Sequence, residues 1–229
     1  MPQDDQTNAR STAEDGASRI VAALEEDIVL GLLAPRVRLV EDDLMERFEA
    51  KRHVVREAFA QLEQAGLIER KRNVGAMVRT FSGEEVHHLY DMRILLETEA
   101  MRRIELPLPA PALKELTQVQ ARHDEVTERE DPRGIFHANE EFHCVLFSHS
   151  GNTYLSQAIE DFARRTHAIR FGILMSRERQ LQSQREHHAL IEALRQGDRE
   201  LLLELTIAHL VPPRDHYLKT REALLVEER

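Results

Sequence analysis

Two arginines, Arg52 and Arg56, stand one helical turn apart in a stretch dense in positive charge. On one face of a helix such a pair is either solvated or set against nucleic acid, where a guanidinium bridges guanine O6 and N7. From Arg47 to Arg79 the chain carries eight Lys or Arg against four Asp or Glu, whereas residues 82–229 carry nineteen against twenty-six. The net charge of −10 therefore conceals a basic segment joined to an acidic body, an asymmetry that suits one nucleic-acid face on a solvated molecule. A second i, i+4 pair, Arg93 and Glu97, reads on spacing alone as an exposed salt bridge of little energetic weight. Of the twelve histidines, His87, His88, His137, His149 and His216 read as helix-surface residues. Other chemistry is missing from the pattern: the nine glycines include no GxGxxG or GxxxxGK spacing, and no GxSxG, HExxH or paired-Cys motif occurs. The single Cys144 cannot form an intrachain disulfide and, beside Phe142, Val145 and Leu146, is expected to be a buried, inert thiol.

The elements that must carry these residues are mostly helical. With 41% hydrophobic, 31% charged and 5% aromatic residues and no Trp, the 229-residue chain reads as a mainly α globular protein with room for two domains. No apolar run approaches membrane-spanning length and Asp4 and Asp5 stand where a signal peptide would be basic, so a cytoplasmic protein is expected. Residues 1–16 are polar and read as a disordered arm. Ile20, Leu24 and Ile28 then mark a helix face, with Gly31 beyond its end. An extended piece at Pro35–Val40 precedes a helix from Glu41, and a third helix at about Lys51–Gln64 buries Val55, Ala58, Phe59 and Leu62 while exposing Arg52 and Arg56. Leu67–Arg70 and Ala76–Arg79 read as two short strands around a basic turn, completing the plan of a winged helix-turn-helix over 17–80. From Ser82-Gly83-Glu84-Glu85, a capping-box sequence, the texture becomes amphipathic, with helices predicted to about Ile104 and over 111–129, 133–149, 153–174, 178–196 and 198–224. Residues 82–224 thus form an antiparallel all-helical bundle.

The segment from Leu32 to Val78 resembles the GntR family of bacterial regulators. The matching residues are Pro35, Leu39, Glu41, Leu44, Arg52, Val55, Arg56, Glu57, Ala58, Leu62, Gly66, Leu67 and Gly75. The chain departs from the family pattern at Arg36 and Glu49, which stand where Gly is usual, at Lys51, which replaces an N-capping Ser, and at Val54, which replaces Pro. The resemblance implies double-stranded operator DNA as partner, read by Arg52 and Arg56. Lys51, His53, Arg70 and Arg72 flank the helix start and hairpin, where phosphate or minor-groove contacts are expected.

Residues 82 to about 220 resemble the FCD effector domain of the FadR branch of that family, through Leu89–Ala100, Asn139–Asn152, Arg185–Leu194 and Ile207–Leu210. That resemblance implies a divalent metal, Zn, Ni, Mn or Fe, on Asn139, His143, His187 and His209, and an inward Arg93 pairing with an effector carboxylate. The i, i+4 spacing of 139 and 143 lets both side chains project from one helix face. The expectation is a homodimeric repressor that binds a palindromic operator and senses a small organic acid. A second reading is a metal-dependent hydrolase using the three histidines; no obvious general base accompanies them, which counts against it.

Overall fold

Once a helix is nucleated, each added residue gains a hydrogen bond at little further cost, and the first helix extends beyond its amphipathic part. The computed structural model describes residues 4–72, 74–170 and 176–227, with side chains described over 16–72, 74–170 and 176–221. Helix α1 spans Asp4–Val29. Residues 4–16, expected as a disordered arm, are therefore helical: Ile20, Leu24 and Ile28 are fully buried and anchor the helix, and Asp4 and Asp5 lie at its N-terminus, where negative charge is favourable. Positions 1–3 of that expected arm lie outside the described residues.

The chain divides into two units at Thr80/Phe81. In the first, α1 is followed by β1 (Arg38–Leu39), α2 (Glu41–Phe48), α3 (Arg52–Gln64), β2 (Ile68–Lys71) and β3 (Gly75–Val78). The strands form an antiparallel sheet in the order β1-β3-β2, with Arg38 opposite Met77 and Ile68 opposite Val78. Val55, Ala58 and Leu62 of α3 are fully buried together with Leu67 and the α1 face. This is a winged helix-turn-helix.

The second unit holds α4 (Gly83–Arg103), α5 (Ala110–Glu128), α6 (Pro132–Ser148), α7 (Thr153–Arg165), α8 (Arg177–Gln196) and α9 (Arg199–Glu227). Its core packs Met101, Ile104, Leu116, Phe142, Leu146, Leu190, Leu194 and Leu202. The Ser82 hydroxyl accepts from the Glu85 amide at 3.1 Å and the Glu85 carboxylate accepts from the Ser82 amide at 2.8 Å, so α4 starts on a complete capping box. Its far end is closed by Arg199 of α9, which donates to the Met101 carbonyl and, at 2.7 Å, to that of Ile104. A cation on the last carbonyls complements the helix dipole and ties α4 to α9.

Two expectations are corrected here. Helix α7 ends at Arg165 rather than near 174: Thr166 takes φ −90°, ψ 1°, and the amides of Thr166 and His167 bond three residues back, to the Ala163 and Arg164 carbonyls at 3.0 Å each, tightening the last turn; positions 171–174 lie outside the described residues. Cys144 is exposed. Phe142 and Leu146 define the inward face of α6, and a residue two steps from each points some 200° away from it. Its sulfur instead sits 3.6 Å from Glu160 Oε1; although the residue reaches the surface, partial desolvation of the thiol, and then the nearby carboxylates, raise it to about 11.

Candidate functional site

Helix α3 buries Val54, Val55, Ala58, Phe59 and Leu62, which leaves Lys51, Arg52, His53 and Arg56 exposed on the opposite side. Lys51 is the N-cap and offers no side-chain hydrogen bond to the first turn. The turn before it is tight: Glu49 takes φ 50° and Arg36, before β1, takes φ 68°. Both stand where the family pattern has Gly, the residue that tolerates this conformation. Arg70 lies on β2 and Arg72 in the exposed turn between β2 and β3.

Arg52 and Arg56 each already have an acidic neighbour. Arg52 Nη2 is 2.5 Å from Asp42 Oδ1, and Arg56 Nε donates to both Glu41 oxygens, at 2.9 and 3.1 Å. Arg70 is paired with Glu63 at 2.5 Å. These pairs are solvent-exposed and weakly held, so a phosphate or a guanine edge can replace the carboxylates. The sequence shows Glu41 and Asp42 only as acids favourable to the start of α2; their second role, across the turn to α3, depends on tertiary placement. Both also line a groove with Arg38, Arg70 and Arg72.

In the second unit α6 supplies Asn139 and His143, α8 supplies His187 and α9 supplies His209. One ligand atom from each of the three histidines lies within 4.8 Å of the others. His143 Nε2 and His209 Nε2 are 3.2 Å apart, a separation at which two lone pairs repel unless one proton or one cation is shared between them. His209 Nδ1 is 2.7 Å from Glu186 Oε2, and His187 Nδ1 is 3.0 Å from Gln120 Oε1. Acceptors at Nδ1 leave a lone pair on each Nε2, the second-layer arrangement typical of metal-ligating histidine. His187 Nε2 is buried with no hydrogen-bond partner in the protein. Burial first, then the neighbouring imidazoles, push His143 and His187 well below the ordinary histidine range, so both rings are neutral donors. The residues therefore fit a divalent cation.

Asn139 is buried and lines a cavity of about 40 Å³ with Arg93, His143, Arg170, Arg179 and His209. Arg93 is not the exposed ion pair its spacing suggests. It is buried, with Nε 2.8 Å from Glu97 Oε1 and Nη1 3.0 Å from Thr166 Oγ1. Arg170 reaches Glu140 at 3.1 Å. Burial opposes ionisation of Glu140, but His167 and Arg170 overcome it and hold the carboxyl well below its usual range. Three guanidiniums thus line the cavity, while the carboxylates of Glu97, Glu140 and Glu186 stand behind Arg93, Arg170 and His209 and do not line it, so the wall itself presents cations to an anion. Sequence reasoning missed Gln120, Asp124, His123, Glu186, Arg170 and Arg179. Only the i, i+4 spacing of Gln120 and Asp124 offered a signal, and their partners lie on another helix.

Among the described residues, no helix is long and apolar enough to cross a membrane. Residues 17–78 match the family described as bacterial regulatory proteins, gntR family, and residues 88–211 match the FCD domain. The chain is 30% identical over 212 residues to the uncharacterized HTH-type transcriptional regulator BphR of Paraburkholderia xenovorans, covering 89% of this chain and 84% of that one. It is 27% identical over 199 residues to the galactonate operon transcriptional repressor of Escherichia coli, covering 79% and 87%. A solved transcriptional regulator GntR from Rhodococcus sp. RHA1 shares the fold, with a TM-score of 0.72 at 22% identity over 89% of this chain and 97% of that one. Both relatives are described as transcriptional regulators, and they lend the hydrolase reading no support. With both units matched in order, this chain belongs to the gntR family of bacterial transcriptional regulators, a DNA-binding winged helix followed by an FCD domain.

Proposed function

We propose that the protein is a homodimeric, metal-containing repressor that binds a palindromic operator and responds to a small hydroxy-carboxylic acid. The observation that carries this reading is the convergence of three imidazoles, two of them with Nδ1 held by an acceptor, beside a cavity rich in guanidinium. His143, His187 and His209 hold the cation, with Asn139 at its edge. When bound, the cation supplies an attachment point for a carboxylate oxygen. Arg93, fixed by Glu97 and Thr166, and Arg170, fixed by Glu140, are pre-oriented for the rest of an anion. The galactonate operon repressor among the relatives points to sugar acids as the first class to try.

A dimer follows from the reading geometry, because one helix contacts too few base pairs for genomic specificity and a two-fold protein matches two half-sites. The test is metal analysis of the purified protein, followed by operator titration with a panel of sugar acids before and after chelation. The expected result is about one divalent ion per chain and an operator affinity that falls with one acid only while metal is present. Protein isolated without metal, or a full response after chelation, overturns the metal-dependent reading.

A further inference from the structure

Gln120 of α5 lies behind His187 and is the end of a directed hydrogen-bond chain. Its two amide ends are told apart by what they face. On one side stands Asp124 Oδ1 at 2.7 Å, and a carboxylate accepts only. Asp124 is itself surrounded by donors, Gln184 Nε2 at 2.9 Å and His188 Nε2 at 3.0 Å. The end of Gln120 that meets Asp124 is therefore the NH2 group, which leaves Oε1 for His187 Nδ1 at 3.0 Å. An acceptor at Nδ1 requires the proton of the neutral imidazole to reside there, so Nε2 carries the lone pair, and Nε2 is the buried atom without a protein partner. His209 Nδ1 meets a carboxylate directly, Glu186 Oε2 at 2.7 Å. His187 Nδ1 meets a neutral amide, with the carboxylate one bond further away.

We infer that Gln120 is a positioning residue, oriented by Asp124, that commits His187 to the tautomer with its lone pair on Nε2 and thereby completes the three-histidine cluster. This rests on the metal reading above for its purpose, but the tautomer itself is a property of the metal-free protein. His188, although adjacent to His187, is assigned to the supporting chain: it is exposed and turned toward Asp124.

Long-range proton–nitrogen correlation spectra of the histidine rings in the full chain stripped of metal test the assignment, with the His187 signals identified by their loss in His187→Gln. The expected spectrum shows His187 with Nδ1 protonated. Gln120→Leu and the milder Asp124→Asn should each convert it to a mixture or to the other tautomer. Competition for Co(II) should show affinity about 10- to 100-fold lower in Gln120→Leu. The exchanged pair Gln120→Glu with Asp124→Asn, in which the donor and acceptor between these positions trade places, should recover both the tautomer and the affinity to within a few-fold. A wild-type protein that binds Co(II) with His187 protonated at Nε2 overturns the role of Gln120 and leaves the metal site standing. So does a Gln120→Leu protein with unchanged tautomer and affinity. A wild-type protein with the expected tautomer that binds no Co(II) supports the directing role of Gln120 and overturns the metal reading instead.

Discussion

His123 shows how burial converts to pH dependence. It is fully buried on α5, with its ring 4.9 Å from that of His187, and burial lowers it to about 4; His143 and His187 are lowered as well. In the unfolded chain each takes up a proton near pH 6.5, its ordinary value, while in the folded protein it does not. The unfolded state thus binds more protons below about pH 6.5, and stability must fall as pH falls from there toward about 4. Thermal unfolding of metal-stripped protein should show Tm declining over that interval, and His123→Leu should make the decline shallower; an unchanged slope contradicts the assignment. For DNA, Arg52→Ala and Arg56→Ala should each reduce operator affinity about 10- to 100-fold with Tm unchanged, as measured by titration at fixed salt. Arg72→Ala should weaken specific and non-specific duplexes alike and reduce the salt slope by about one. The outward face of Arg52 and Arg56 was legible because helical period alone separates it from Val55, Ala58 and Leu62. His123, Gln120 and Asp124 were not, because their significance lies in partners about sixty residues away on α8.

Local signals were read most faithfully where a few adjacent residues determine the geometry. Ser82 and Glu85 make the capping box that their spacing promises, and the β2–β3 hairpin closes around the turn expected of it. The N-terminal arm failed the same reading because polarity measures a lack of core-forming residues, while helix can extend from a buried face further along. At α2–α3 the departures from the family pattern have an energetic consequence. Glu49 in the left-handed region costs about 1 kcal/mol, of which Glu49→Gly should recover about half after the added entropy of the unfolded chain. Lys51→Ser should add about 1 kcal/mol by giving α3 a capping oxygen. Denaturant unfolding measures both changes. The two variants should part company on DNA: Lys51→Ser removes a cation and should weaken duplex binding, whereas Glu49→Gly removes an anion and should strengthen it. Equal effects on DNA would mean that neither charge lies near the phosphates.

For the molecule as a whole, the division of charge that locates a DNA face in the first unit also makes an acidic second unit an unexpected home for an anion, and the local excess of guanidinium around Asn139 and His143 is what reconciles the two. The sequence displays the overall asymmetry but not the local reversal, since Arg93, Arg170 and Arg179 are spread over almost ninety residues. If a sugar acid bound there weakens operator binding by some factor, linkage requires operator DNA to weaken the acid by the same factor, typically about 5- to 150-fold. Calorimetric titration of the acid into protein with and without a saturating operator duplex measures one side of this equality, and DNA titration with and without the acid measures the other. Arg93 is the residue on which to test its origin. Deleting the guanidinium would strand Glu97 in the core, a loss of about 3–5 kcal/mol that confuses binding with unfolding, so Arg93→Lys is the informative change: it keeps the charge beside Glu97 but cannot also reach Thr166 with the same planar fork. Affinity for the acid should fall while operator binding without the acid stays as in wild type. If the acid affinity is unchanged, Arg93 serves the fold alone and the anion is held by Arg170, Arg179 and the proposed cation.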